Sequence, residues 1–244
     1  CGNNEVDVAR NNWGWQKEYG VSDKHWEELD RGYTDMFRTR IPAIVDSVNG
    51  SSSYIHTSPL SNWGNDDAFN HHNMHYWGVW HGQDDFDGFK NHIPRFMSEY
   101  GFQSFPSMRT LETEIGSELL DINSPILTKR QKSYKGTGEL FRHLIQHYPE
   151  PKDLQDMVYL SQLNQRSGMR KAIDAHRLNR DKCMGTLYWQ LNDVWAAPTW
   201  STIDTEGRWK AAHFMVRKRY EDIITVAGSD DDSFTVSVIN DRLE

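Results

Sequence analysis

The chain has 244 residues, of which 37% are hydrophobic and 25% charged, and its formal net charge is −8. These values are typical of a globular protein long enough for one large domain or two small ones. They give no basic surface for nucleic acid, and no run of about 18 apolar residues could span a membrane. The two cysteines, Cys1 and Cys183, are too few for a disulfide framework, and we expect them to be buried thiols.

The first part of the chain alternates between strand-like and helical patterns. Residues 1–5 read as the end of a strand. Ser22 is a suitable N-cap for a helix over residues 22–48, because apolar side chains recur there at helical spacing until Asn49-Gly50. Three further strands are predicted at residues 53–57, 73–77 and 95–99.

The second part of the chain is mainly helical. Residues 108–180 have a helical pattern interrupted by proline and glycine, and the best helix covers residues 153–179. A fourth strand is predicted at residues 184–190 and a helix at residues 209–220. The β-branched runs 223–226 and 234–239, which flank an acidic turn, predict an antiparallel hairpin.

Strands that alternate with helices predict a parallel sheet. Polar residues cluster at the predicted C-terminal strand ends, where a (β/α) barrel builds its active site. A doubly wound sheet also binds ligands there, but it usually carries a glycine-rich phosphate turn, which this sequence lacks. We therefore predict an α/β fold in which residues 1–221 form the C-terminal half of a (β/α)8 TIM barrel. Residues 222–244 would begin an immunoglobulin-like β-sandwich domain.

Aromatic residues are unusually frequent, with 10 Trp, 10 Tyr and 10 Phe making up 12% of the chain. Many stand beside acids, amides and histidines, as in NMHYWGVWHG and LYWQLNDVWAAPTW. Aromatic rings stack on the apolar face of a sugar while amides and acids bind its hydroxyls, so this mixture suits a sugar pocket. A tryptophan-rich core with ordinary surface acids would have the same composition, which leaves both interpretations open.

Two glutamates, Glu5 and Glu99, each follow a predicted strand and precede a loop. Retaining glycoside hydrolysis needs one carboxyl group to protonate the leaving oxygen and a second, about 5–5.5 Å away, to attack the anomeric carbon. Two strand ends across a barrel mouth can supply such a pair. The alternative is that both are ordinary surface glutamates.

Three segments, taken in order, resemble family 2 glycoside hydrolases, and most closely the exo-acting β-mannosidases. They are Asn4-Glu5, the stretch SEYG at residues 98–101, and YWQLND at residues 188–193. The likeness covers about residues 1–225 and depends on all three segments, because an Asn-Glu pair alone is a weak signal. The resemblance implies a retaining hydrolase that removes terminal β-D-mannose from the non-reducing ends of β-mannosides, as in polysaccharide degradation.

The resemblance also implies roles for single residues. Glu5 would act as general acid and then as base, Glu99 as nucleophile, and Asn4 would hydrogen-bond the sugar 2-hydroxyl. Trp189 would form an aromatic wall beside the sugar that is cleaved. The further candidates for sugar binding are Trp63, His75, Tyr76, Trp77, Asn192 and Trp195. Core packing remains an alternative for the tryptophans, and a structural hydrogen bond for His75.

Complete members of the family carry β-rich domains and four barrel strands before the Asn-Glu pair. The resemblance therefore implies that residues 1–244 are a C-terminal fragment. The expected partners are a β-mannoside oligosaccharide or glycan, the N-terminal part of the same enzyme, and further copies of the chain in an oligomer. A secreted, periplasmic or lysosomal type of location is expected, together with no cofactor and no metal ion.

Other functions remain open on the sequence alone. The sugar could differ, as in a β-galactosidase, β-glucuronidase or exo-β-glucosaminidase, because residues outside this sequence also contribute to specificity. A non-catalytic carbohydrate-binding fragment is an alternative of a different class.

Overall fold

The computed structural model describes residues 3–51, 53–229 and 233–242. The chain divides into two compact units, and each is described by itself. The first unit comprises Cys1–His75 and Pro94–Ser98, and the second comprises Tyr76–Ile93 and Glu99–Glu244. Within the described residues, no helix has both the length and the apolar character needed to cross a bilayer.

Short strands and many helices make up the described part of the chain. The strands are β1 Ser61–Asn62, β2 Asn73–His75, β3 Phe96–Glu99, β4 Ile223–Ser229 and β5 Phe234–Asn240. The α-helices are α1 Val6–Asn11, α2 Trp15–Glu18, α3 Asp23–Thr34, α4 Ile41–Val48, α5 Gly88–Asn91, α6 Met108–Ile115, α7 Pro125–Arg130, α8 Gly136–Leu144, α9 Leu154–Leu178 and α10 Ala211–Arg219. A π-helical stretch covers Asp35–Arg40, and 3-10 helices cover Asp66–Asn70 and Ser117–Leu119.

Parallel pairing organises the strands of the first unit. β1 pairs with β2 in parallel, and β1, β2 and β3 lie in that order in one sheet. Before them, Asn4 and Ser58 form a parallel bridge, in which Ser58 N donates to Asn3 O at 3.0 Å and Glu5 N donates to Ser58 O at 2.7 Å. The parallel pairing of β2 agrees with the predicted parallel sheet, but its partner β1 lies at Ser61–Asn62, after the strand predicted at residues 53–57. Glu5 directly follows the bridged residue Asn4.

The helix predicted after Ser22 is confirmed. The Ser22 hydroxyl accepts a hydrogen bond from His25 N at 3.4 Å, which caps α3. Helical backbone continues through the π-helical stretch into α4, and Asn49 is the C-cap. Tyr33 is the buried residue of α3, and its ring lies 5.1 Å from that of Phe37.

Helix α9, with 25 residues, is the longest element of the described second unit. Its N-cap is Asp153, whose side chain accepts from Asp156 N at 2.8 Å, and the helix agrees with the prediction for residues 153–179. Helices α5, α8 and α10 contact it. The largest fully buried side chains of the unit include Trp80, Tyr76, Tyr100, Phe89, Phe102, Leu111, Leu140, Leu144 and Met157.

The predicted hairpin is also confirmed. β4 and β5 pair antiparallel, from Ile223 opposite Asn240 to Ser229 opposite Phe234, and one face buries a small apolar cluster of Ile224, Val226 and Ile239. The start of a sandwich domain after residue 221 stays a prediction. Cys183 is buried as expected and donates to Gly185 O at 3.4 Å, whereas Cys1 lies outside the described residues.

Two predicted strands do not form. No strand is assigned at residues 53–57, because the backbone pairing in this region passes through Ser58 to Asn3 and Glu5. No strand is assigned at residues 184–190 either. There, Trp189 N donates to Tyr100 O at 2.8 Å and Gln190 N donates to Trp200 O at 3.3 Å, so the pairing is too intermittent to form a ladder.

Candidate active site

Glu5 links the first parallel pairing to helix α1. Its backbone has a φ of 60°, a left-handed conformation that is uncommon for residues other than glycine. Such conformations cost about 1–3 kcal/mol and are frequent at functional sites. The Glu5 side chain keeps 25% of its surface exposed. Its carboxylate is therefore accessible, and its backbone conformation supports the choice of Glu5 as a candidate catalytic group.

His75 holds the carboxylate of Glu5 at the end of β2. Its Nδ1 lies 2.9 Å from Glu5 Oε1, and its Nε2 lies 3.0 Å from Ser58 Oγ. The whole residue is only 2% exposed. Because both ring nitrogens are bonded and the ring is buried, His75 restricts the orientation of the Glu5 carboxylate. This is the structural hydrogen bond that the sequence left open as an alternative, and a sugar contact by His75 stays a prediction.

The hydrogen-bond network extends past His75 within the first unit. Asn73 Nδ2 donates to Ser58 Oγ at 2.8 Å and to Ser98 Oγ at 3.3 Å. Ser98 Oγ donates in turn to Met74 O at 3.2 Å. Sequence reasoning missed Ser58, Asn73 and Ser98 as parts of the site. Their signal was a small polar side chain at or beside each strand, close to a candidate catalytic group.

Glu99 is the last residue of β3 and is 9% exposed. Within the second unit, Trp77 Nε1 donates to Glu99 Oε2 at 3.3 Å, and Tyr76 N donates to Glu99 O at 2.8 Å. Trp77 is itself buried, with its ring edge-on to Trp200 at 5.9 Å. An indole fixed in this way orients the carboxylate, and a sugar contact by Trp77 stays a prediction.

Tyr76 lies in the interior of the second unit. Its hydroxyl donates to Asp84 Oδ2 at 2.7 Å and lies 3.0 Å from His92 Nδ1, and its ring is edge-on to Phe89. Burial first, and then the Asp84 carboxylate, raise the pKa of Tyr76 well above its usual value. The phenol is therefore neutral at physiological pH and acts here as a hydrogen-bond donor within the protein.

The YWQLND segment and the residues after it present exposed aromatic and amide groups. Trp189 is 42% exposed and Trp195 is 39% exposed, and Asn192 is also exposed. The Lys132 ammonium lies 5.3 Å from the centre of the Trp195 ring. These side chains are accessible to a ligand, as expected of sugar contacts, and their binding roles stay predictions.

The remaining candidates, Asn4 and Trp63, both belong to the first unit. Asn4 is exposed and Trp63 half-buried. The structure thus brings Glu5 together with His75 in the first unit, and Glu99 together with Trp77 in the second. The distance between the two carboxyl groups stays a prediction, because Glu5 and Glu99 belong to different units.

Known β-mannosidases are similar to nearly the whole chain. The β-mannosidase of Capra hircus is 27% identical over 98% of this chain, and β-mannosidase A of Aspergillus fumigatus is 32% identical over 70% of it. The crystal structure of the β-D-mannosidase from Dictyoglomus thermophilum matches 100% of this chain with a TM-score of 0.85 and 28% identity. The chain is β-mannosidase-like. The resemblance predicted from the three segments is therefore confirmed, although no family model matches the sequence.

This β-mannosidase-like chain spans less than a third of the length of these relatives. It covers 29% of the goat protein, 20% of the fungal protein and 29% of the bacterial crystal structure. An exo-chitosanase from Amycolatopsis orientalis is also similar, with a TM-score of 0.53 and 19% identity over 63% of this chain and 20% of that protein. At that identity the similarity concerns the fold alone.

Proposed function

We propose that this chain carries the two catalytic carboxylates of a retaining exo-β-mannosidase. The observation that supports this most directly is that Glu5 and Glu99 each end a strand pairing and are each held by a buried side chain. His75 holds Glu5 at 2.9 Å, and Trp77 holds Glu99 at 3.3 Å. Double displacement requires two oriented carboxyl groups, and a (β/α) barrel carries its catalytic groups at the C-terminal ends of its strands.

In the proposed reaction, Glu99 attacks the anomeric carbon and the bond from that carbon to the leaving oxygen breaks. Glu5 gives its proton to the leaving oxygen in the same step, and a glycosyl ester of Glu99 forms. Glu5, now a carboxylate, then takes a proton from water, whose oxygen attacks the same carbon. Free mannose leaves with the original configuration, and both glutamates return to their starting states.

Double displacement requires a particular distance between the two carboxyl groups. We expect their carboxyl groups to face one cavity about 5–5.5 Å apart, since a separation of about 6.5 Å or more would suit an inverting mechanism instead. A crystal structure of the protein with a mannose-configured inhibitor would measure this distance directly.

Several residues are proposed as sugar contacts. Asn4 would bind the 2-hydroxyl, whose hydrogen bonds strengthen at the transition state, and Trp189, Asn192 and Trp195 would line one side of the sugar. Their exposure supports this assignment. Trp63 remains a further proposed contact in the first unit.

The proposed architecture is the C-terminal half of a (β/α)8 barrel followed by the first hairpin of a β-sandwich. The parallel pairing in the first unit and the hairpin of β4 with β5 support it. The proposal includes an N-terminal part of the same enzyme as a partner, a β-mannoside glycan as substrate, and a secreted, periplasmic or lysosomal location.

A substrate panel tests the proposed function. The active form of the protein, whether this chain alone or the chain combined with the proposed N-terminal part, is offered p-nitrophenyl glycosides of β-mannose, β-galactose, β-glucuronate and β-glucosamine. The highest kcat/KM is expected for the mannoside. A preference for another sugar would redirect the proposal to that glycosidase, and no hydrolysis of any glycoside by either form would overturn it.

A further inference from the structure

The loop that follows Trp189 is closed by a buried carboxylate. Asp193 Oδ2 accepts from the hydroxyl of Thr199 at 2.7 Å and from the hydroxyl of Ser201. Asp193 Oδ1 accepts from Gln190 Nε2 at 3.3 Å. Its side chain is only 3% exposed. One carboxylate therefore joins the beginning and the end of the loop over residues 190–201, which carries Asn192 and Trp195.

The buried side chain of Lys210 lies next to the Asp193 carboxylate. Lys210 Nζ lies 4.0 Å from Asp193 Oδ2, and its side chain is 1% exposed. The same ammonium donates to Ser104 O at 3.1 Å, and Lys210 N donates to Thr202 O at 2.9 Å. Lys210 thus connects the end of the loop to the segment that follows Glu99 along the chain.

Backbone hydrogen bonds join the same two segments. Ser104 N donates to Thr199 O at 2.9 Å, and Thr199 N donates to Ser104 O at 3.2 Å. Trp189 N donates to Tyr100 O at 2.8 Å. A displacement of the loop would therefore also disturb the backbone directly after the candidate nucleophile.

A charge at this place is costly, because an ammonium loses its hydration on burial and is only partly compensated by one carboxylate at 4.0 Å. Accordingly, burial lowers the pKa of Lys210 to about 8, against the opposing effect of Asp193 and Asp204. Methionine would fill a similar volume without this penalty. Unlike methionine, the ammonium donates a hydrogen bond to the Ser104 carbonyl and attracts the Asp193 carboxylate.

We propose that Asp193 and Lys210 are positioning residues that hold Trp189, Asn192 and Trp195 in the orientation that binds the sugar. The inference rests on the proposed glycosidase function. Neither residue has to touch the substrate, since both act through the loop. The expected effect is on substrate binding, with less effect on the chemical step, because the glutamates keep their own partners His75 and Trp77.

The test uses the double variant Asp193→Ala/Lys210→Met, which removes both members of the buried pair, while Asp204 keeps its hydrogen bonds from Thr110 Oγ1, Glu206 N and Arg208 N. We expect KM for p-nitrophenyl β-mannoside to rise so that kcat/KM falls by about ten-fold to a hundred-fold. Amide hydrogen exchange over residues 190–201 should become faster than in the wild type, while exchange in α9 stays the same. The conservative variant Asp193→Asn/Lys210→Met keeps an acceptor for the two hydroxyls but lacks the ammonium, so it should recover only part of the lost affinity.

The matched control removes an exposed ion pair elsewhere. Lys171 lies 2.6 Å from Asp87 in the second unit, and the variant Asp87→Asn/Lys171→Met should leave KM and loop exchange unchanged. If the alanine variant fails to fold, the asparagine variant must still raise KM above that of the control. An unchanged KM, or faster exchange spread evenly over the whole chain, would overturn the inference.

The two proposals fail in different ways. A wild-type protein that hydrolyses the mannoside, with an unaffected double variant, overturns only the positioning role. A wild-type protein that neither hydrolyses nor binds any glycoside overturns the proposed function and with it the sugar-binding part of this inference. Even then, hydrogen exchange decides whether Asp193 and Lys210 hold the loop.

Discussion

At the scale of single residues, substitution can separate the roles proposed for Glu5 and Glu99. Glu99→Gln removes the nucleophile, so no glycosyl-enzyme forms, and turnover should be almost completely lost for every leaving group. Glu5→Gln removes the proton donor and the later base. An aryl mannoside with an acidic leaving group needs no protonation, so its first step should survive in Glu5→Gln and leave the intermediate to accumulate.

Added azide tests whether Glu99 is the nucleophile and Glu5 the acid/base, or the reverse. It needs no general base, so it should speed the breakdown of the intermediate in Glu5→Gln and give a β-mannosyl azide, detected by mass spectrometry and NMR. The Glu99→Gln variant should not respond in this way. Rescue of Glu99→Gln with retention of configuration, with no response in Glu5→Gln, would mean that the two roles are reversed.

The buried side chain of His143 should make the free energy of unfolding depend on pH. Burial first, and then electrostatic interaction with His147 and Arg142, lowers the pKa of His143 to about 4. In the unfolded chain the pKa returns to about 6.5, so between these values the unfolded state binds the additional proton. Stability should therefore fall as the pH drops from about 6.5 to about 4, with His143 contributing at most about 3 kcal/mol.

The measurement is the free energy of unfolding in denaturant at several pH values across this window. His143→Gln cannot take up this proton and should reduce the slope of stability against pH. His25→Gln, at an exposed position on α3, is the matched control and should leave the slope as in the wild type. An equal slope in His143→Gln and the wild type would contradict the assignment.

At the scale of elements, Gly168 determines how closely helix α9 approaches Phe86. A Cβ atom at Gly168 would lie 2.7 Å from Phe86 Cζ and 2.8 Å from Cδ1, which is closer than van der Waals contact. Alanine there should lower the free energy of unfolding by about 1–3 kcal/mol through overpacking. This penalty opposes the better helix propensity of alanine, which is worth about 1 kcal/mol.

Gly32 in α3 is the matched helical control, because an added Cβ would meet nothing within 4 Å. Gly32→Ala should therefore stabilise the protein by about 0.5–1 kcal/mol. Thermal or denaturant unfolding of both variants measures the difference in sign. If both substitutions stabilise the protein, Phe86 moves aside and the close approach is not a constraint.

At the scale of the whole molecule, the elements with local signals were predictable. Ser22 caps α3 and Asp153 caps α9, and each lies directly before an apolar helical pattern. The hairpin strands are β-branched runs on either side of an acidic turn. These features depend on neighbouring residues, so the sequence alone specifies them.

The features that sequence reasoning missed depend on partners far along the chain. Residues 184–190 look like a strand, but Trp189 bonds Tyr100 instead of joining a ladder. The buried position of Lys210 could not be expected, since lysine is usually exposed. In the site, the placement of Glu99 at the end of a strand was predicted correctly, whereas Glu5 follows an isolated bridge at Asn4. The contacts of His75 with Glu5 and Ser58 required the fold.

If residues 1–221 form half of a barrel, the 244-residue chain by itself should differ from a closed barrel in activity and in self-association. A closed barrel has no unpaired strand edge, whereas half of one would expose two edges and the side chains that the other strands cover. Contacts to the remaining sugar hydroxyls would also be missing, and transition-state stabilisation depends on such remote contacts as well as on the two acids. We therefore expect this chain alone to lack β-mannosidase activity and to associate with itself.

Adding the proposed N-terminal part in trans should restore both activity and a defined oligomeric state. The assay is hydrolysis of p-nitrophenyl β-mannoside, with size-exclusion chromatography of the same samples. A catalytically dead complex, formed from the N-terminal part and the Glu99→Gln chain, controls for contaminating enzyme. Monomeric 244-residue chain that turns over at about 1 per second or faster, a rate typical of enzymes, would contradict the prediction.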